Sequence, residues 1–202
     1  MATRSSLGVV VIMVGALMLG ACADTGSVQE GDDVSVDLGA GESRQEQISE
    51  IEVIVGLLGQ HMGEDPVLRD DSANEWTPEY HEENRRPTAD CSDDNSYRNR
   101  VIFDYPGLDF QEAYAAAERI SGEIGFTAND DLNDDGSAGS RMIFGARGEG
   151  GRSLVVREKS GDSGLIEVVY NTRCSTHESH DEAMEKFREQ AREERRRERE
   201  GS

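Results

Sequence analysis

Apolar residues recur with a helical period in the first part of the chain and with strand-like patterns later. Between residues 48 and 62 they stand three or four positions apart, which is the spacing of one helix face. They are Ile48, Ile51, Ile54, Val55, Leu58 and Met62. The stretch from 63 to 97 has few apolar residues and three prolines, which indicates loops, with Trp76 and Tyr80 as the expected anchors.

A strand and a second helix are predicted next. Residues 100–105, RVIFDY, are rich in β-branched and aromatic residues, and Pro106 and Gly107 end the pattern. Asp109 is expected to cap a helix that begins directly after it. The apolar face of this helix is predicted to carry Phe110, Tyr114, Ala117, Ile120 and Ile124.

Three strands complete the domain in the prediction. They cover residues 140–147, 152–159 and 164–174, and the glycine-containing connections GEGG and SGDSG indicate hairpins. The order helix, strand, helix and three strands predicts an α+β class. We expect a two-layer domain, with an antiparallel sheet of about four strands and helices on one face.

The C-terminal residues 178–202 predict a separate charged helix. Met184, Phe187 and Ala191 stand at helical spacing, and Glu–Arg pairs such as Glu193 and Arg197 lie one turn apart. This helix has two interpretations that the sequence leaves open. It is either an arm that engages wall polymers or a partner, or a solvated extension.

The N-terminus has the features of a bacterial lipoprotein signal peptide. Arg4 precedes an apolar run from residue 7 to 21, which is too short for a bilayer core of about 20 residues. The run ends in LGAC, which resembles the lipobox, where a diacylglycerol is attached to the cysteine. Residues 1–21 are therefore predicted to be the signal peptide. Cys22 is the predicted lipidation site that anchors the chain at the extracytoplasmic face of the cell membrane, and an ordinary secreted protein with a chance cysteine is the alternative.

Composition divides the remainder into a tether and a domain. Residues 22–47 are rich in Gly, Ser, Asp and Glu and contain no aromatic residue, which predicts an acidic flexible tether. The folded domain is expected from 48 to 177. Residues 23–177 carry 33 acidic and 13 basic residues, a net charge of −20. This charge repels the phosphate backbone of nucleic acids, which excludes nucleic acid as a partner, and it suits a basic protein or another envelope partner.

Two cysteines remain besides Cys22. Outside the cytoplasm, Cys91 and Cys174 are most simply paired in a disulfide. The alternative is a metal site, because His177 and His180 follow the second cysteine closely. Zinc sites usually contain cysteines in tighter pairs than these, which favours the disulfide.

The segment DLNDDG, from 131 to 136, resembles the first half of a calcium-binding loop. Asp131, Asn133 and Asp135 occupy the first three oxygen-ligand positions, and glycine stands where such a loop turns sharply. The twelfth position, which should hold a bidentate glutamate, is Met142 in a predicted strand. Calcium affinity is therefore expected to be millimolar or weaker. An ordinary turn is the alternative, and no other cofactor is expected.

Several features together resemble the LppA-like lipoproteins of actinobacteria. They are the lipobox, an N-terminal helix, a Trp before a Cys, the segment PGLDFQEAYAAAERISGEIGF, and strands that end in TRC. In that family, a helix with an Ala-rich face and a Gly near its end precedes strands that close on Thr-Gly-Cys.

Ala115 to Ala117, Gly125, Thr172 and Cys174 match the family pattern. Arg173 stands where the family has Gly, and Phe110 where its helix commonly opens with Trp. The resemblance covers about residues 50 to 175. It implies a disulfide-bridged α+β lipoprotein and carries no catalytic residues.

The sequence predicts a membrane-anchored lipoprotein whose domain is a non-enzymatic binding or interaction module. A weak calcium-binding surface protein is one alternative. An envelope enzyme is another, and it would require a paired nucleophile and base or paired carboxylates. The chain shows no such set at a recognisable spacing, so no catalytic residue is predicted.

Overall fold

The chain divides into two units, residues 1–32 and 33–202, and all the described residues belong to the second unit. The computed structural model describes residues 36–63, 67–68, 76–93, 95–132, 140–159 and 164–200, with the backbone alone for 140–143. The predicted signal peptide, Cys22 and most of the predicted tether lie outside these residues.

The predicted α+β class is confirmed, and the described residues form six antiparallel strands rather than about four. They are β1 Val67–Leu68, β2 Arg100–Pro106, β3 Thr127–Ala128, β4 Ser140–Arg147, β5 Ser153–Lys159 and β6 Leu165–Asn171, in the sheet order β1-β2-β6-β5-β4-β3. The four long strands correspond to the predicted ones. β1 and β3 have two residues each, which is too short for a period of two to show in the sequence.

The first helix, α1, spans Arg44–Met62 and begins earlier than the apolar pattern predicts. Ser43 caps it: the Ser43 side chain accepts a hydrogen bond from the Glu46 backbone, and the Glu46 carboxylate accepts one from the Ser43 backbone. Arg44 and Gln47 are buried within it. The folded domain therefore includes residues that the sequence assigned to the tether.

A second, short helix lies within the stretch that was predicted as loops. It is α2, Pro78–Asn84, with proline in its first turn and the Thr77 hydroxyl accepting a hydrogen bond from the Tyr80 backbone. Trp76 is buried and Tyr80 packs against the core, so both act as anchors, as predicted.

The helix α3, Phe110–Glu123, begins at its predicted cap, because the Asp109 carboxylate accepts a hydrogen bond from the Gln111 backbone at 2.7 Å. Its buried face differs from the prediction. Tyr114 is 37% exposed, and the buried positions are Ala113, Ala116, Ala117, Ile120 and Ser121. Small side chains on this face let the helix lie close to α1 and to the sheet.

One face of the sheet forms the core with α1 and α3. Its buried side chains are Val101, Phe103, Tyr105, Phe144, Ala146, Leu154, Val156, Ile166, Val168 and Tyr170. The opposite face, which we call the outer face, carries three rows across the strands. The middle row is apolar and contains Ile102, Val169 and Val155.

The predicted C-terminal helix is present as α4, Glu178–Glu200. Its first turn is fixed to the domain, because His180 is buried and the Ser179 hydroxyl accepts a hydrogen bond from the Arg44 backbone at 2.9 Å. Beyond this turn its residues are exposed, except for a half-buried stripe of Ala183, Met184, Phe187 and Ala191. Within the described part of the chain, no helix has the length and apolar character that a membrane span requires.

Candidate functional site

The disulfide between Cys91 and Cys174 is present, as predicted. Their Cα atoms lie 6.0 Å apart, and the bridge joins the loop after α2 to the segment that follows β6. Both sulfurs are bonded to each other, which leaves no thiolate for the alternative metal site. Across the described ranges, no three His, Cys, Asp or Glu side chains are grouped as a metal ion would require.

The calcium prediction is only partly covered by the structure. Asp131 lies in a 3₁₀ turn, Asp130–Leu132, and is exposed, and its backbone donates a hydrogen bond to the Asn129 side chain. Asn133 and Asp135 lie outside the described residues. Met142, the twelfth position, pairs with Arg157 in the sheet, as the strand prediction requires. Calcium binding by this segment stays a prediction.

A buried polar cluster holds α1 against the sheet. The Gln47 side-chain oxygen accepts hydrogen bonds from the Asn99 backbone at 3.0 Å, from the Asn99 amide at 2.9 Å and from the Thr172 hydroxyl at 2.7 Å. The Gln47 amide nitrogen donates to Gly41 and Arg173 carbonyls. Every polar atom of this buried side chain is therefore satisfied by backbone and side-chain partners.

His81 continues this cluster into α2. Its Nδ1 accepts a hydrogen bond from the Trp76 indole, so its Nε2 carries the proton and donates to Asn99. The pKa of His81 is lowered to about 4, mainly by burial. The hydrogen bond with Asn99 opposes this shift, and the charges of Arg44 and Arg85 contribute to it. The imidazole is neutral at pH 7 and acts as a structural link.

Glu50 forms a second buried cluster, with Arg152 and Tyr170. The Glu50 carboxylate is fully buried and accepts hydrogen bonds from the Arg152 guanidinium at 2.9 and 3.1 Å and from the Tyr170 hydroxyl at 2.6 Å. Arg152 also donates to the Gly39 and Ala40 carbonyls. Burial and the Glu50 charge raise the pKa of Tyr170 well above its usual value. This cluster fastens the segment before α1 to the sheet.

A cleft of about 370 Å³ lies between the end of α2, β2 and α4. The described residues that line it are Asn84, Arg85, Arg86, Thr88, Arg100, Ile102 and Phe187. Three of them are arginines and none is acidic, although the domain around it is strongly acidic. We call this cavity the arginine cleft.

The end of α2 is held in place beside this cleft. Arg44 donates hydrogen bonds to the carbonyls of His81, Glu82 and Arg85, the last at 2.6 Å. The last carbonyls of a helix have few partners within it, and the His81 carbonyl already accepts a hydrogen bond from the Arg85 backbone. The buried guanidinium adds to that bond and satisfies the other two carbonyls. Arg85 and Arg86 therefore leave α2 from a fixed position.

Arg100, on the outer face, is held by two neighbours. It donates to the Asn171 side chain at 2.7 Å and pairs with Asp90, which also pairs with Arg98 at 2.7 Å. Partial burial opposes ionisation of Asp90, but the hydrogen bond and charge of Arg98, with Arg100 nearby, hold its pKa below the usual value. One carboxylate thus serves two guanidiniums, which leaves a net positive charge at this edge.

A second cleft, of about 230 Å³, continues from the first across the outer face. Its described lining shares Arg100 and Ile102 with the arginine cleft and adds Leu132, Val155, Arg157, Val169 and Asn171. Arg157 is paired with Glu167 on the neighbouring strand. The two clefts together place an apolar floor beside a group of arginines.

The sequence prediction did not find these clefts. Asn84 to Thr88, Arg100 and Phe187 come together only through the fold, and each stands in a segment without a local motif. A third cleft, beside the disulfide, has mixed charges from Glu42, Asp93 and Arg173. Comparison with protein-family models, with curated proteins and with solved structures finds no match for this chain.

Proposed function

We propose that this chain is a lipid-anchored, extracytoplasmic and non-enzymatic binding module, and that the arginine cleft is its ligand site. The observation that carries the proposal is the composition of this cleft. Three arginines and no acid line it among the described residues, in a domain where acids outnumber bases more than twofold. Concave sites with a few fixed polar groups beside an apolar wall are the usual form of small-molecule sites.

The surroundings of the cleft support a role in binding. Arg44 fixes the carbonyl end of α2, and Asp90 with Asn171 fixes Arg100, so the backbone of the site and this guanidinium need little ordering when a ligand arrives. The buried polar side chains that could serve as acid or base, Glu50 and His81, are occupied by structural hydrogen bonds. Both observations favour binding over catalysis.

The anchoring half of the proposal is supported by the sequence. LGAC at 19–22 ends an apolar run, and the resemblance to the LppA-like lipoproteins adds to it. A disulfide, which forms and persists outside the cytoplasm, is consistent with this location.

The Cys22→Ala variant is expected either to keep its signal peptide uncleaved or to leave the membrane fraction, and in both cases to carry no lipid. A diacylglycerol contributes two acyl chains, which suffice for stable attachment, and the variant has no thiol to receive it. Fractionation of cells that express either chain, with metabolic labelling by a fatty acid, measures this. Ser27→Ala, five residues later, is the control and should remain labelled and sedimenting. A Cys22→Ala chain that is processed and sediments like the original would contradict anchoring by this residue.

Occupation of the arginine cleft tests the binding half. Amide spectra of the chain from residue 23 onward, recorded with mixtures of small neutral, cationic and anionic compounds, should show shifts for Thr88 and Ile102 in at least one mixture. Amides on the far side, such as that of Ile54 in α1, serve as the control and should not move. If no class of compound shifts the cleft amides, the proposed function is wrong.

A further inference from the structure

We infer that the arginine cleft takes a phosphate monoester that carries a small apolar group, such as an aryl phosphate. This inference rests on the proposed function and names the chemical class of its ligand. It combines two observations, the arginines of the cleft and the apolar floor that adjoins it.

The arginines define the charged end of the ligand. A guanidinium presents a planar set of N–H donors that matches the oxygens of phosphate or carboxylate in pairs. Arg86 is exposed and makes no ion pair with any described residue, so its donors are available to a ligand. Arg100 contributes a second guanidinium, fixed by Asp90 and Asn171. Several cations around one site favour a dianion with three oxygens over a single carboxylate.

The apolar end follows from the lining of the two clefts. Phe187 from α4 and Ile102 from β2 stand at the arginine cleft, and Val155 and Val169 continue the apolar surface along the outer face. A group attached to the phosphate can remove this surface from water, which is favourable in proportion to the area covered. An inorganic phosphate would leave it uncovered.

The acidic body of the protein does not prevent this binding. At physiological ionic strength, charges more than about 8 Å apart are largely screened, so the field of the distant carboxylates is weak inside the cleft. The nearby guanidiniums act at contact distance. A lipid headgroup in an anionic bilayer would bring the exposed carboxylates around the cleft close to an extended negative surface, inside the screening distance, which favours a soluble ligand over a lipid headgroup.

Titration of the chain from residue 23 onward with phenyl phosphate tests the inference. Inorganic phosphate, phenol and benzylamine are titrated separately, and the amide shifts of Thr88 and Ile102 report occupation. Phenyl phosphate should bind at least several-fold more tightly than inorganic phosphate. Arg86→Gln should lower the affinity for phenyl phosphate and for inorganic phosphate about tenfold, which is the loss expected for one charge-assisted contact. The control Arg119→Gln removes an exposed arginine of α3, away from the cleft, and should change neither.

Phe187→Ala tests the apolar end of the ligand independently of its phosphate end. It should lower the affinity for phenyl phosphate about threefold or more and leave that for inorganic phosphate unchanged, because it removes only an apolar contact. A uniform loss for both probes would overturn the assignment of the apolar end.

The outcomes also separate this inference from the proposed function. If phenol or benzylamine shifts the cleft amides and phenyl phosphate does not, the phosphate inference fails and the cleft stands as a binding site. If none of the probes shifts them, both fail. Equal effects of Arg86→Gln and Arg119→Gln would overturn the role of the cleft arginines. If the chain binds vesicles that contain phosphatidic acid and does not respond to phenyl phosphate, the ligand is a lipid headgroup and the inference of a soluble phosphate monoester is wrong.

Discussion

The Cys91→Ala/Cys174→Ala variant is expected to unfold with a free energy about 4 kcal/mol lower than that of the original chain. The bridge closes a loop of 83 residues, and on the chain-entropy model a loop of this length stabilises the folded state by roughly this amount. The loop includes α3 and all the described strands except β1. For a domain of this size the melting temperature should fall by roughly 10 °C.

Urea unfolding followed by circular dichroism measures this difference. Reduction of the original chain should give the same loss, and the double variant should not respond to the reductant. Thiol labelling of the unfolded, unreduced chain from residue 23 onward should find no free cysteine. Equal unfolding midpoints for the original and the double variant would show that the bridge does not stabilise the domain.

The Glu50→Ala variant is expected to lose about 3–5 kcal/mol, because it leaves a buried arginine without its counter-charge. The Glu50 side chain is fully buried and that of Arg152 is 7% exposed, so water cannot replace the lost carboxylate. The Tyr170 hydroxyl loses its acceptor in the same variant. The Tyr170 hydroxyl and the Nε of Arg152 then stay in the core without an acceptor, which adds to the cost.

Tyr170→Phe is the matched control for this prediction. It removes one hydrogen bond, keeps the ring in the core and leaves the ion pair intact, and we expect it to cost about 1–2 kcal/mol. Free energies of unfolding at pH 7 from urea titrations compare the two variants. If Glu50→Ala costs no more than Tyr170→Phe, the ion pair does not have the stabilising role that its burial indicates.

Much of the fold could be predicted from the sequence because it follows from local patterns. The strands at 100–105 and 140–147 and the cap at Asp109 each depend on a few neighbouring residues. The hairpins between the last three strands follow from short glycine-containing connections. The disulfide could be predicted from the number of cysteines together with the predicted extracytoplasmic location.

The start of α1 could not be predicted from apolar periodicity, because its first buried positions are polar. Arg44, Gln47 and Glu50 continue the face of Ile51 and Ile54, three or four residues apart, but they are hydrophilic. A signal was nevertheless present. Polar residues on the apolar face of a helix indicate buried partners, and here those partners are Asn99, Thr172, Arg152 and Tyr170.

The arginine cleft could not be predicted for a different reason. Its lining comes from three elements far apart in the sequence, and neither Arg86 nor Phe187 belongs to a local motif. Net charge is a sum over the chain and does not show where basic residues gather. The net charge of −20 for residues 23–177 favours a basic protein or another envelope partner, which stays a prediction, whereas the described lining of this one cleft contains no acid.

The neutral His81 between Trp76 and Asn99 couples the attachment of α2 to proton concentration. Its pKa is about 4 in the folded state, below the ordinary value of 6.5, so the unfolded chain binds the extra proton first as the medium becomes acidic. The contribution of His81 to folding stability is constant above pH 7 and decreases as the pH falls from about 6.5 to 4, by roughly 3 kcal/mol in total. The loss of stability on protonation of His81 affects the attachment of α2, whose end carries Arg85 and Arg86. In the proposed extracytoplasmic location, acidification would therefore weaken the support of the arginine cleft.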